Sequence, residues 1–400
     1  MPINIFLIGG FYDNQTGKSS GLISRIYRSL FTTSDIILRN NNINITYQNG
    51  GSINDIKNQL HQIEITKPDI IFWFPYIENS EEKLRNIKEL SPESLLITSK
   101  RNDNNKYSFQ ELMQHALMLK ANMTFEFSIR NDGQFNIRVF DPLGCEYYNG
   151  TDSNDAIMNC LKRIKFLMNI TRQRTTPAPE DKSLILSYYF DRFAEQMESS
   201  DKNPKIRPSP EIENFINIVK DHAEVYQKLM GKIDIQRFVG NASMKIPPQV
   251  GRCTKGMPSF KDKDFIFVSK RNIDKQFITI ENFVPVYMKD DKIYFCGPDK
   301  PSVDTPIQIR LYQWLPNIRF ILHSHNYIKE AAFTRTSMPC GAVEEAAEII
   351  RTIKQNYHSL NEKFYALNLL GHGAIILAHD ANDIKPYKDS YYMRPVPEKI

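Results

Sequence analysis

The order of apolar and polar positions divides the chain into two stretches with different rhythms. Residues 3–8 form a continuous apolar run that ends in Gly9-Gly10, the pattern of a parallel strand buried on both faces. Residues 22–30 follow with apolar side chains at helical spacing. Residues 69–74 (DIIFWF) and 94–98 (SLLIT) repeat the buried-strand pattern. Strands that alternate with helices predict an α/β fold with a parallel, doubly wound sheet. Residues 125–140 differ: two alternating runs flank Asn131-Asp132-Gly133, which predicts a hairpin.

Past residue 260 the runs shorten. Residues 264–269, 277–280, 284–288 and 292–296 read as strands, with Asp290-Asp291 at a hairpin turn. Residues 307–314 read as a helix, and 318–323, 364–370 and 374–378 as further strands. Residues 341–357 predict an amphipathic helix with Val343, Ala346, Ala347, Ile350 and Ile353 on its core face. That assignment leaves Glu344, Glu345 and Glu348 to a solvated face, with a part in the acid/base chemistry as the other reading. Two stretches rich in Pro, charge and small polar residues, 171–182 and 199–210, mark the break between the halves. The expected organisation is a Rossmann-like parallel α/β domain over residues 1–172, a linker over 173–210, and a second α/β domain over 211–400.

Four hundred residues exceed what one core usually fills, which agrees with two domains. Hydrophobic residues at 41% and charged residues at 24% exclude a fully disordered, collagen-like or coiled-coil chain. The longest apolar candidate, residues 65–77, is broken by Lys67, Pro68, Asp69 and Pro75, so no stretch approaches the roughly 18 to 20 residues a membrane span needs. Residues 1–10 carry no basic region and no cleavage site of small residues, so a cytoplasmic location is expected. A net charge of +5 spread over this length implies neither a nucleic-acid surface nor a membrane arm. The five cysteines, Cys145, Cys160, Cys253, Cys296 and Cys340, are odd in number with no CxxC pair, which argues for free thiols.

The strongest chemical signal is His323-Ser324-His325, directly after an apolar run. On an extended chain, residues two apart point the same way, so both imidazoles can reach one metal. His372 sits in Leu370-Gly371-His372-Gly373, where glycines let the backbone approach a site. Three histidine nitrogens with an open fourth position suit a catalytic divalent metal, most often zinc.

With these histidines in place, residues 238–380 resemble the class II aldolase/adducin family, of the fuculose-phosphate aldolase and ribulose-phosphate epimerase type. Gly240-Asn241-Ala242-Ser243 resembles the family's G-N-x-S, and Thr254-Lys255-Gly256 its T-x-x-G-like loop. Pro301-Ser302-Val303-Asp304 resembles P-S-S-E, His323-Ser324-His325 its H-x-H, and Leu370-Gly371-His372-Gly373 its N-H-G. The resemblance implies a class II aldolase-like α/β domain with a central, mainly antiparallel sheet. It implies that His323, His325 and His372 bind a divalent metal, Zn2+ first, and that Asp304 is the catalytic carboxylate. Asp304 is one methylene shorter than the family's Glu, and Val303 lacks the hydroxyl of the family's second Ser. By the same resemblance Asn241, Ser243, Thr254, Gly256 and Ser302 hold the substrate, a small sugar or sugar phosphate, with Arg237, Arg252 and Lys255 nearby in sequence. The implied reaction is aldol cleavage or epimerisation through a metal-stabilised enediolate, in a homo-oligomer, tetramer or dimer. A tyrosine of the tail, among Tyr387, Tyr391 and Tyr392, would complete a neighbouring site.

The N-terminal half resembles no family. Gly17-Lys18-Ser19 fails as a phosphate loop of the Walker type, because Tyr12 stands where a Gly is required. The loop from Gly9 to Ser20 still joins a strand to a helix, so Gly9, Gly10, Thr16, Gly17, Lys18 and Ser19 are candidates for holding an anion. Two other readings therefore stay open. One is a glycosyl- or nucleotide-processing enzyme centred on the first domain, and the other a non-catalytic adducin-like binding protein.

Overall fold

A computed structural model describes residues 2–9, 12–13, 18–19, 21–38, 42–75, 87–129, 133–171, 173–190, 208–230, 238–247, 260 and 262–400. The chain forms two compact units, one from Met1–Asn169 with Pro395–Ile400 and one from Ile170–Arg394.

The first unit runs β1 (Ile3–Gly9), β2 (Tyr12–Asp13), β3 (Lys18–Ser19), α1 (Gly21–Leu38), β4 (Ile43–Asn49), α2 (Ile53–Thr66), β5 (Ile70–Phe74), α3 (Ile87–Leu90) and β6 (Leu95–Arg101). It continues with α4 (Phe109–Met118), β7 (Met123–Ile129), β8 (Phe135–Phe140), β9 (Cys145–Gly150) and α5 (Ser153–Met168). The sheet order is β4-β1-β5-β6-β7-β8-β9, parallel from β4 to β7 and antiparallel beyond. All five residues of β5 are buried, as a parallel strand covered on both faces requires. Helix α2 starts at a capping box, Ser52 with Asp55, and stops where Lys67 turns left-handed. Glu398–Lys399, at the far end of the chain, pairs in parallel with β9.

The second unit runs β10 (Thr175–Ala178), α6 (Lys182–Phe190), α7 (Pro210–Met230), β11 (Asn241–Met244), β12 (Ile266–Ser269), β13 (Phe283–Lys289) and β14 (Lys292–Cys296). It continues with α8 (Thr305–Trp314), β15 (Phe320–Ser324), β16 (Tyr327–Ile328), β17 (Ala332–Phe333), α9 (Glu344–Asn356), β18 (Phe364–Leu369), β19 (Gly373–Ala378) and β20 (Tyr391–Tyr392). Its sheet order is β10-β14-β13-β12-β11-β15-β19-β18-β17, antiparallel except at the two outer pairs. Successive side chains face opposite ways, and the core obeys that period. Phe320 and Leu322 of β15 pack with Phe215 and Val219 of α7. Ile321, between them, packs with Leu311 of α8 and Ile349 of α9. The sheet therefore lies between α6 and α7 on one face and α8 and α9 on the other.

Four expectations are corrected. Residues 277–280 are not a strand: Lys275–Phe277 and Ile280–Asn282 are 3-10 turns. The Asp274 carboxylate accepts from the backbone N–H of Gln276, and Thr279 and Asn282 form a capping box. Such short polar side chains offer the backbone an alternative to a ladder. Part of the expected linker is built into the second unit, where β10 pairs with β14 and α6 buries Ile185, Leu186, Tyr189 and Phe190. The last six residues, expected with the second domain, belong to the first unit. On α9 the buried positions are Glu345, Ala346, Glu348, Ile349, Thr352 and Ile353, while Ala347 is exposed. Among the described residues no helix is long and apolar enough to cross a membrane.

Candidate metal centre

Three strand ends and two helix starts meet in the second unit. β15 ends at Ser324 between the first residues of β11 and β19: Asn241 lies opposite His323, and Ala374 opposite Ser324. His323 shares the face of Ile321, toward α8 and α9. Gly373 makes the approach of His372 possible. Its φ is +149°, and a Cβ there would stand 1.9 Å from the Ser324 carbonyl oxygen. Gly240, at φ +77°, allows a similar approach, since its Cβ would lie 2.6 Å from the His323 carbonyl oxygen.

The three histidines come together. Their ring centroids lie 4.7 to 5.2 Å apart, and one nitrogen of each falls within 4.8 Å of the others. Two of the rings, His323 and His372, are fixed from behind. His323 Nδ1 is 2.9 Å from the Ala374 carbonyl oxygen and so carries the proton, which leaves Nε2 with a lone pair. His372 Nδ1 is 2.9 and 3.1 Å from the two Glu345 oxygens. Carboxylates and carbonyls in these positions orient metal-binding imidazoles. His323 Nε2 is buried without a hydrogen-bond partner, a costly state for a polar atom. Burial pushes the His323 pKa down to about 4, helped by His372. Burial and the two neighbouring imidazoles hold His325 well below its ordinary value. Both rings are therefore neutral at pH 7 with lone pairs available, and the donor set fits a divalent metal. Burial also opposes the charged form of His372, but Glu345 and Cys340 outweigh it and raise this group well above the usual range.

Asp304 precedes α8 and faces the same space. Its Oδ1 accepts from the Gly341 backbone N–H at 2.9 Å and its Oδ2 from Asn241 Nδ2 at 2.8 Å. Oδ2 also stands 4.0 Å from His323 Nε2. Gln308 Nε2 donates to Asn241 Oδ1, so Asn241 is clamped from both sides. Two cations lie near Asp304. Burial lowers the pKa of Arg271, which Asp304 opposes. Burial also brings Lys275 down to about 8, against Asp274 and Asp304.

The other sequence candidates divide. Ser302 lies beside Asp304, with its Oγ 3.3 Å from the Asp304 backbone N. Ser243 is buried and its hydroxyl is 3.0 Å from the Tyr312 hydroxyl. Thr254 and Gly256 lie outside the described residues, as do Arg237, Arg252 and Lys255. In the first unit, Gly9 closes β1 and its carbonyl accepts from the Gly50 N–H at 3.3 Å. Gly10, Thr16 and Gly17 lie outside the described residues. Lys18 and Ser19 pair with Asp13 and Tyr12 in a two-stranded ribbon before α1. In the tail, Tyr391 is buried with its hydroxyl 3.1 Å from His222 Nδ1. Arg394, fully buried, donates to the Gly371 carbonyl and so braces the turn that carries His372.

Sequence reasoning put Glu345 and Glu348 on a solvated face, and both are buried. A signal existed: Glu345 precedes Ile349 by four and Ile353 by eight, on the apolar stripe itself. Lys275, 2% exposed, lies just before the 277–280 run and was not singled out from the sequence.

Residues 220–383 match the family model described as the Class II Aldolase and Adducin N-terminal domain. No curated protein matches the chain. Among solved structures, an L-fuculose 1-phosphate aldolase is 16% identical with a TM-score of 0.31, over 46% of this chain and 81% of that one. An aldolase II superfamily protein from Pseudomonas syringae is 12% identical with a TM-score of 0.29, over 46% of this chain and 73% of its own. A DNA/pantothenate metabolism flavoprotein from Streptococcus pneumoniae is 9% identical with a TM-score of 0.30, over 41% of this chain and 99% of its own. Within the C-terminal half, residues 220–383 carry a class II aldolase/adducin domain.

Proposed function

We propose that the second unit is a metal-dependent lyase of aldolase type acting on a small sugar or sugar phosphate. The observation that carries this reading is His323 Nε2, a buried lone pair without a partner beside two further imidazoles. An adducin-like binding module has no use for such a costly arrangement. His323, His325 and His372 would hold a divalent metal, Zn2+ first. Bound there, the ion would supply Lewis-acid polarisation of a substrate carbonyl.

The chain's own groups do the rest. Asp304, held by the Gly341 N–H and by Asn241, presents a carboxylate whose oxygens cannot swing away, and serves as the proton acceptor and donor. Its clamp sets the geometry before substrate arrives. Arg271 and Lys275 place positive charge beside Asp304, which suits an anionic substrate such as a sugar phosphate. Cleavage and epimerisation both begin from this arrangement, and the product distinguishes them.

Elemental analysis of purified protein, beside a His323→Ala/His325→Ala variant, tests the reading. About one divalent transition metal per chain is expected in wild type and none in the variant. Wild type is then incubated with ketose phosphates and assayed for aldehyde release. A wild-type protein that holds no metal, even after metal is added back, overturns the proposal.

A further inference from the structure

We propose that the first unit associates with a second copy of this chain, edge to edge, through β4 and α1. The strand β4 closes the first sheet, and among the described residues nothing pairs with its outer edge. The Ile3 N–H donates to the Asn42 carbonyl and the Gly50 N–H to the Gly9 carbonyl, so the even-numbered residues of this stretch face β1. A strand in a parallel ladder directs successive peptide groups to alternate sides, so Ile43, Ile45, Tyr47 and Asn49 turn N–H and C=O outward. Natural edges are blunted by charge, proline, a bulge or a short strand. Residues 42–49 (NINITYQN) carry no charge and no proline, and β4 pairs with β1 along its whole length without a bulge.

The occupant follows from symmetry. A two-fold interface presents the same surface from both sides. Antiparallel pairing with the axis at Ile45 sets Ile45 against its own copy and Ile43 against Tyr47, β-branched and aromatic pairs that suit cross-strand contact. The helix beside the strand obeys the same axis. Tyr27 of α1 packs on Tyr47, with ring centroids 5.7 Å apart. Because β1 and β4 are parallel, α1 between them runs antiparallel to both. Four helix residues rise about 6 Å and two strand residues about 6.6 Å, so Phe31 stands level with Ile45. Phe31 lies one turn from Tyr27 on the same side and is 67% exposed. Arg28 and Asp35 flank Phe31 at helical spacing; both are exposed, and neither forms an ion pair among the described residues. A two-fold axis at Phe31 brings each Arg28 beside the other copy's Asp35, within about 1.5 Å of the same level. Backbone, apolar and charge complementarity therefore share one axis, and only a second copy of the chain requires that.

The test is cross-linking of the full chain carrying Ile45→Cys under mild oxidation, read as the rate at which disulfide-linked dimer appears on a non-reducing gel. Across the proposed axis the two Cα atoms at position 45 are about 5.5 Å apart, within disulfide reach, whereas those at position 43 are roughly 14 Å apart. We expect a linked dimer from Ile45→Cys, and from Ile43→Cys no more than from wild type. Adding either Arg28→Asp or Asp35→Arg to Ile45→Cys is expected to slow linking about tenfold through like-charge contact, and adding both to restore the rate to within about twofold. Light scattering is expected to find wild type with at least two chains per particle. No link from Ile45→Cys, or one that forms as fast from Ile43→Cys, overturns the proposal. So does a double charge swap that links no faster than the single reversals, or a wild type with one chain per particle.

Discussion

Glu345→Gln isolates the orientation of His372 from its mere presence. Glu345 is 2% exposed, and both carboxylate oxygens lie within hydrogen-bond distance of His372 Nδ1. Burial raises its pKa, and the neighbouring His372 pulls the other way, so the charged carboxylate depends on the imidazole it orients. A Gln keeps the volume and one acceptor oxygen but loses the charge that strengthens Nε2 as a donor. Loss of such a carboxylate partner typically weakens metal binding about 10- to 100-fold. At 1.36 kcal/mol per tenfold, that is about 1.4 to 2.7 kcal/mol. Glu345→Gln belongs near the lower figure. Glu345→Ala belongs near the upper one and also leaves Nδ1 buried without an acceptor, which costs about 1 to 3 kcal/mol of stability. Competition with a zinc chelator reads the first quantity, and urea unfolding of the metal-free protein reads the second. Zinc affinity within twofold of wild type in both variants would refute the reasoning, because it would mean the Glu345 contact does not act on the ligand.

Two further perturbations follow from the same fold. His222 has its pKa brought down to about 4 by burial and by Lys388, against an unfolded value of 6.5, so stability is full above pH 6.5 and falls as pH drops toward 4. Linkage gives a loss of about 2 kcal/mol by pH 5, and His222→Gln should lose correspondingly less between pH 7 and pH 5 in urea unfolding. Equal losses in the two proteins would place the titration elsewhere. Gly373→Ala puts a Cβ 1.9 Å from the Ser324 carbonyl oxygen at φ +149°, so a stability loss of about 3 kcal/mol and weakened zinc binding are expected together. A variant with wild-type melting temperature would contradict the close approach.

Much of the architecture was legible because period reveals burial. The runs at residues 3–8 and 69–74 appear as β1 and β5, and the alternating runs on either side of residues 131–133 as the antiparallel pair β7 and β8. In the second unit Asp290 and Asp291 take the positive φ that a tight hairpin needs. The histidine cluster was legible too, because two-residue spacing on a strand forces a shared face. What failed was local hydrogen bonding that competes with a ladder, at Asp274 and Thr279. Pairing across long separations was equally invisible: nothing near Thr175 or Glu398 announces a partner more than a hundred residues away.

Helix α9 shows why the site's support escaped a pattern-based reading. A helix face is read by assuming that apolar side chains turn inward and acids turn to water. On α9 that rule selects Ala347 and Ile350, yet the chain buries Glu345 and Glu348 and exposes Ala347. Each buried acid has a partner: His372 for Glu345, and for Glu348 the Arg351 guanidinium at 3.0 Å. A buried carboxylate is unfavourable unless paired. Glu348 finds its pair one turn away on the same helix, so its burial is locally compensated and needs nothing from the site. Glu345 finds its pair 27 residues along the chain, on the turn that delivers His372 to the histidine cluster. Breaking that contact leaves both partners buried and unmatched, so folding of α9 against the sheet and placement of the third imidazole are energetically the same event. Local sequence preference and global structure disagree at Glu345 because the residue is held for the group it orients, and such conflicts concentrate at functional sites.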